Sequence, residues 1–322
     1  MLELSKSYEK INYLLRPSKQ VERKLFIETL HRLGQAGYKI SKYTYVGLGS
    51  VFYTDFILFH KYLYIDDMIC AEATDIPKRM RFNRPFGFIK LYMHPVAELL
   101  PSLSRKKSYF IWLDYDRGLD SDILDDVAGF AGKLSHGSIL IITVDAEPEL
   151  QDREENERLS RRDRYRRLCQ LYNSQFRKYF SRPLRAGDIS RADLPRIFAQ
   201  ILLTQLRESV TERGYYFYQL FNFKYTDTAQ MLTIGGLIAN DTDRERILES
   251  GVDNLDNLER DEEPKLISVP PLTFREKQWI DDKIKKKGSF NFAKFGLEID
   301  RKLLENYIKH YRHYPTFHES LL

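Results

Sequence analysis

Between residues 43 and 144, short β-rich runs alternate with helical stretches, and this alternation restricts the fold more than any other feature of the chain. Residues 43–46, 68–71, 88–93, 109–113 and 138–144 read as five strands. Residues 51–62, 95–100 and 124–134 read as helices between them. A further helix opens at Asp75-Ile76-Pro77, where proline suits the first turn. Strands that are largely apolar on both faces belong in a parallel sheet covered by helices on each side. The expected fold is therefore α/β and Rossmann-like. In such sheets, ligands sit beyond the carboxyl ends of the strands.

Three of those ends carry chemistry. Tyr45-Val46-Gly47-Leu48-Gly49-Ser50 runs from the first strand into a turn before a helix. A glycine pair there lets backbone approach a ligand, and Ser50 suits the N-cap. The third glycine of a dinucleotide fingerprint would fall at Phe52 and is absent, which disfavours NAD. Glu72 ends the second strand, where its position favours a carboxylate accepting both hydroxyls of a ribose over a helix-capping or surface acid. Asp114-Tyr115-Asp116 ends the fourth strand. Asp114 there can orient a substrate or hold an amino group, and the two acids together could chelate a hard cation. Asp120, Asp122, Asp125 and Asp126 read as a solvated helix N-terminus. Tyr53 and Asp55 either face the pocket or pack.

Outside the alternating region, residues 1–36 are helical, with Pro17 as a start signal and Val21, Leu25, Leu30 and Leu33 at helical spacing. Residues 151–182 form a charged helical stretch; eleven Arg or Lys stand against four acids between Arg153 and Arg185. That stretch is either a phosphate-binding footprint for nucleic acid or a solvated face laced by pairs such as Glu154–Arg158 and Glu157–Arg161. Asp193 caps a helix over 194–213. Residues 215–225 and 231–239 are strands joined by so short a connection that they pair antiparallel. An acidic loop, 253–263, leads past Pro270-Pro271 into a helix-rich tail. There His310, His313 and His318 lie among aromatics, without zinc-motif spacing, and read as a buried tail helix; no metal site is expected.

The net charge of +5 permits an acidic partner without requiring one. Cys70 and Cys169 are too few for a disulfide framework and suit reduced thiols. No secretory leader and no bilayer-length apolar run is legible, so a cytoplasmic protein is expected.

Together the runs 45–56, Ala71-Glu72, Asn83-Arg84-Pro85-Phe86 and 111–116 resemble a bacterial group of O-methyltransferases in the class I S-adenosylmethionine (SAM)-dependent superfamily. Residues 16–24, Arg-Pro-Ser-Lys-Gln-Val-Glu-Arg-Lys, resemble that group's N-terminal segment. The resemblance implies a mostly parallel sheet ending in an antiparallel hairpin, supplied by 215–239. It implies SAM as cofactor, with Gly47 and Gly49 near its methionine, Glu72 on its ribose and Asp114 beside the methyl group. Tyr45 and Ser50 belong to the same expected pocket, and Asp114 and Asp116 are the candidate catalytic acids. The usual acid before the glycines is absent, Tyr43 and Tyr45 standing there instead, and Val51 stands near the third glycine.

The expected organisation is a helical segment (1–42), a SAM-binding domain (43–240) with a helical insertion (about 151–213), and a helical extension (241–322). The expected activity is methyl transfer to an oxygen or nitrogen of an acceptor, with Arg16, Lys19 and the 151–185 helices forming a lid or acceptor surface. Alternatives are a non-catalytic module binding a nucleotide or a protein partner in a bacterial defence (antiviral) or mobile-element complex, or a metal-dependent nuclease.

Overall fold

In the computed structural model, residues 16–73, 76–150, 152–255, 263–284, 290–292, 296 and 298–315 are described. Asp75, His318, the first fifteen residues and most of the acidic loop lie outside them.

The first described helix, α1 (Pro17–Gln35), starts at its proline. The alternation follows as β1 (Thr44–Leu48), α2 (Thr54–Leu63), β2 (Asp67–Ala71), α3 (Pro77–Asn83), β3 (Ile89–Tyr92), β4 (Tyr109–Gly118), α4 (Ser121–Lys133) and β5 (Ile139–Asp145). The insertion contributes α5 (Arg153–Arg158), α6 (Arg161–Phe176) and α7 (Leu194–Thr211). Then come β6 (Tyr216–Thr226), β7 (Gln230–Ala239), α8 (Asp243–Ser250), β8 (Lys265–Ile267), α9 (Phe274–Lys283) and α10 (Arg301–His310).

The strands form one sheet in the order β3-β2-β1-β4-β5-β7-β6-β8. Strands β1 to β5 pair in parallel, and β7 runs antiparallel to both β5 and β6. Ordering reverses between β1 and β4, the switch point at which open sheets bind ligands. Helices α1 and α2 cover one face, over Tyr45, Trp112, Ile141 and Phe221. Helices α4 and α7 cover the other, over Val46, Ile111, Ile142 and Ile234. Phe26 of α1 anchors the first layer, its ring 5.0 Å from Trp112 and 4.7 Å from Phe221. No helix among the described residues is long and apolar enough to cross a membrane.

Four local expectations need correction. Ser50 does not cap α2: residues 51–52 turn first, and Tyr53 precedes the helix at a left-handed φ of 47°. Burial of its ring, whose hydroxyl donates to Met80 O at 2.8 Å, outweighs a backbone cost of roughly 1–2 kcal/mol. Asp193 does not cap α7, because its carboxylate is taken by Ser190 Oγ. Residues Val96–Ser102 form a 3-10 rather than an α-helix. The C-terminal extension is not wholly helical, since β8 joins the sheet parallel to β6.

Candidate functional site

Register places the three marked strand ends side by side. Gly47 pairs with Cys70 of β2 and with Trp112 of β4. Two residues further along each strand, Gly49, Glu72 and Asp114 stand at one level on adjacent strands. Side chains alternate across a sheet, so all three share the face of Tyr45, Cys70 and Trp112, the face covered by α1 and α2. The backbone holds that level: Gly49 N–H donates to Ala71 O at 3.1 Å and Glu72 N–H to Tyr92 O at 2.9 Å.

Both glycines are required by neighbours within the protein. A Cβ on Gly47 would collide with the Tyr45 phenol, and one on Gly49 with Cys70 Sγ, while standing 3.1 Å from Met80 Cε and 3.2 Å from Glu72 Cβ. Tyr45 itself is buried, its ring 5.0 Å from Phe56 and from Phe59. Ser50 sits half-buried in the turn, its Oγ 3.4 Å from Phe52 N.

The acids are unlike one another. Glu72 is half-buried, and no donor among the described residues reaches its carboxylate. Burial, then repulsion from Asp116, pushes it up to about 7. Asp116 is exposed at the mouth. Asp145, at the end of β5, was not singled out from sequence; burial, with nearby acids, raises it to about 6. Its position after an apolar strand, as at Asp114, is the signal that could have found it. Asp114 accepts a hydrogen bond from Lys19 Nζ at 2.7 Å.

Lys19 opens the largest departure from the sequence reading. It lies in no lid: the side chain is 1% exposed, with Nζ 2.9 Å from Tyr225 OH, 3.1 Å from Glu22 Oε2 and 4.2 Å from the Trp112 ring centroid. Glu22, wholly buried, also accepts from Thr233, and its carboxyl is raised above the ordinary value, chiefly by burial. Arg23 pairs with Asp55 of α2, while its Nη1 has no acceptor among the described residues. Asp227, in the β6–β7 turn, accepts from the backbone N–H groups of Ser18 and Lys19 at 3.1 and 3.0 Å, where a carboxylate suits a helix N-terminus. Thus Asp55 packs and pairs, and the first turn of α1 plugs into the carboxyl end of the sheet.

The remaining sequence candidates lie elsewhere. Arg158 pairs with Glu154 at 2.9 Å and Arg167 with Glu155 at 3.1 Å, both on an exposed face. His310 is buried, which holds its imidazole down at about 3, and His313 Nε2 meets Glu28 Oε2 at 3.0 Å. Among the described residues, no three His, Cys, Asp or Glu side chains are placed to share a metal ion.

Trm1 from Pyrococcus horikoshii, solved with S-adenosyl-L-methionine, is similar at 12% identity and a TM-score of 0.45, over 70% of this chain and 56% of that one. The chain therefore spans little more than half of Trm1. A variant of the 16S rRNA (adenine(1408)-N(1))-methyltransferase from Catenulisporales acidiphilia is similar at 10% identity and a TM-score of 0.36, over 65% of this chain and 91% of that one. No curated protein sequence matches. A family model described as "Putative O-methyltransferase" matches residues 11–322, and the chain belongs to that family.

Proposed function

We propose that the strand ends of β1, β2 and β4 hold SAM and that the enzyme passes its methyl group to a hydroxyl oxygen of an acceptor. The level shared by Gly49, Glu72 and Asp114 at the topological switch point is the observation that carries this reading. Bound SAM supplies a methyl group on a sulfonium, a leaving group that needs no activation by the protein.

The residues present fit such a molecule. Glu72 offers a partly desolvated carboxylate with free acceptor capacity, which two ribose hydroxyls would fill. Arg23 holds a guanidinium nitrogen without an acceptor beside the glycine turn, suited to an amino-acid carboxylate. Glu72, Asp114, Asp116 and Asp145 together make the strand ends acidic, which favours a cationic ligand. Locked by Lys19, Asp114 orients the amino group and is not the base. Asp116, exposed at the mouth, takes the acceptor's proton as the bond to oxygen forms. Most of the rate enhancement then comes from holding the two reactants in line.

Two measurements test this. Incubation with methyl-labelled SAM and fractionated cell extract is expected to label one acceptor; no label in any fraction would defeat the transferase reading. A SAM titration tests Glu72 separately. The ionised form accepts the ribose hydroxyls, and the free protein is half ionised near pH 7 rather than 4.5. Affinity should therefore rise about tenfold between pH 6 and pH 8. Glu72→Gln should bind weakly at both values, and a flat wild-type profile would remove Glu72 from the ribose. The same shift costs stability as pH rises from 4.5 towards 7, so Glu72→Gln should melt no lower than wild type at pH 8.

A further inference from the structure

At the end of the sheet opposite the methyl-transfer site, where the amino ends of β1, β4 and β5 meet the start of β6, lies a cavity of about 460 Å³. Its volume falls within the range of small-molecule sites. Five Lys or Arg side chains line it: Lys39, Arg105, Lys106, Lys107 and Arg246. Lys107 is engaged by Asp67 at 3.0 Å, and the other four, all exposed, form no ion pair among the described residues.

The one acid in the lining, Asp243, offsets at most one of those four charges. Asp243 is 1% exposed and its oxygens are taken by Tyr38 OH at 3.0 Å, His136 Nδ1 at 3.1 Å and Asn240 N at 3.0 Å. That network fixes the cavity wall instead. Tyr43, also buried, donates to Gly137 O, next to His136, and pins the same wall. Tyr215 lines the cavity half-buried, its ring lying against His136 with centroids 5.8 Å apart. Gly37, at φ +91° with open space around it, leaves one edge free of side chain. An aromatic-walled hollow under a rim of net positive charge matches a ligand with a flat ring and several negative charges.

We propose that this cavity binds a nucleoside polyphosphate, with the phosphates on Lys39, Arg105, Lys106 and Arg246 and the base against Tyr215. The cations cluster over one hollow rather than run along a helix face, which favours a compact ligand over a nucleic-acid strand. The site is independent of the methyl donor, since it lies at the opposite ends of β1 and β4.

Calorimetry with UTP, in the presence of saturating S-adenosylhomocysteine, tests the proposal. UTP is expected to bind, and to bind more tightly than inorganic tripolyphosphate. The double variant Lys106→Glu/Arg246→Glu, at two exposed positions, should weaken UTP roughly tenfold or more with an unchanged melting curve. Raising sodium chloride from about 50 to about 300 mM should weaken binding as well. Absence of heat with UTP, or unchanged affinity in the variant, would overturn the site. Competition by S-adenosylhomocysteine would move the ligand to the strand ends. Equal affinity for tripolyphosphate would remove the base, and displacement of UTP by an unphosphorylated oligoribonucleotide would replace the nucleotide with a strand.

Discussion

Lys19→Ala is expected to lower the unfolding free energy by about 3–5 kcal/mol, the cost of stripping one partner from a buried charge cluster. Lys19 is the cation shared by Asp114 and Glu22, and its ammonium also meets Tyr225 and the Trp112 face. Without it, Asp114 is left beside buried Glu22 with its only hydrogen-bond donor among the described residues gone. Urea denaturation at neutral pH measures the loss. Adding Asp114→Asn should recover part of it, because the uncompensated acid is removed along with the cation. A loss below about 1 kcal/mol would place Lys19 with ordinary surface ion pairs and undo the account of α1.

Gly49→Ala is expected to cost about 1–3 kcal/mol of stability, as an extra methyl forced into a packed interior does. Its larger effect falls on the donor. The new Cβ would push against Cys70 Sγ and stand 3.2 Å from Glu72 Cβ, so relief must come from displacing β1 or β2 at the level where the ligand sits. A displacement near 1 Å at such a point costs roughly a hundredfold. The rate of methyl transfer at saturating SAM should fall by that order, while Gly49→Ala/Cys70→Ala should regain most of it. Failure of the second change to rescue would show that the glycine serves something other than the fit to Cys70.

Much of the framework was open to inspection in the sequence. Apolar runs ending at Gly47, Glu72 and Asp114 announced parallel strands, and the short 226–230 connection announced the antiparallel hairpin. What stayed hidden depends on partners remote along the chain. In the sequence Lys19 reads as part of a lid or acceptor surface, yet Ser18, Lys19, Glu22 and Arg23 are all buried, because their partners Asp55, Asp114, Tyr225, Asp227 and Thr233 come from other elements. Local propensity carries no trace of such pairing. Ser50 misled for a related reason: it has the right chemistry for a cap, but burial of the Tyr53 ring sets where α2 begins. The three-residue β8 is too short to show periodicity and exists because the edge of β6 offers it a ladder.

The docking of α1 also bears on how the chain is made. On a ribosome this helix emerges ahead of Tyr225, Asp227 and Thr233, which receive its first turn and lie more than 200 residues later. At ordinary elongation rates of about 5–20 residues per second, that interval is roughly 10–40 s. Until it ends, Lys19 lacks Tyr225, Glu22 lacks Thr233, and the Phe26 ring lacks Phe221. A nascent chain of this design completes the contacts of the first turn of α1 only once the hairpin has been delivered, and those of Lys24 and Glu28 later still, with the arrival of His313 and Tyr314.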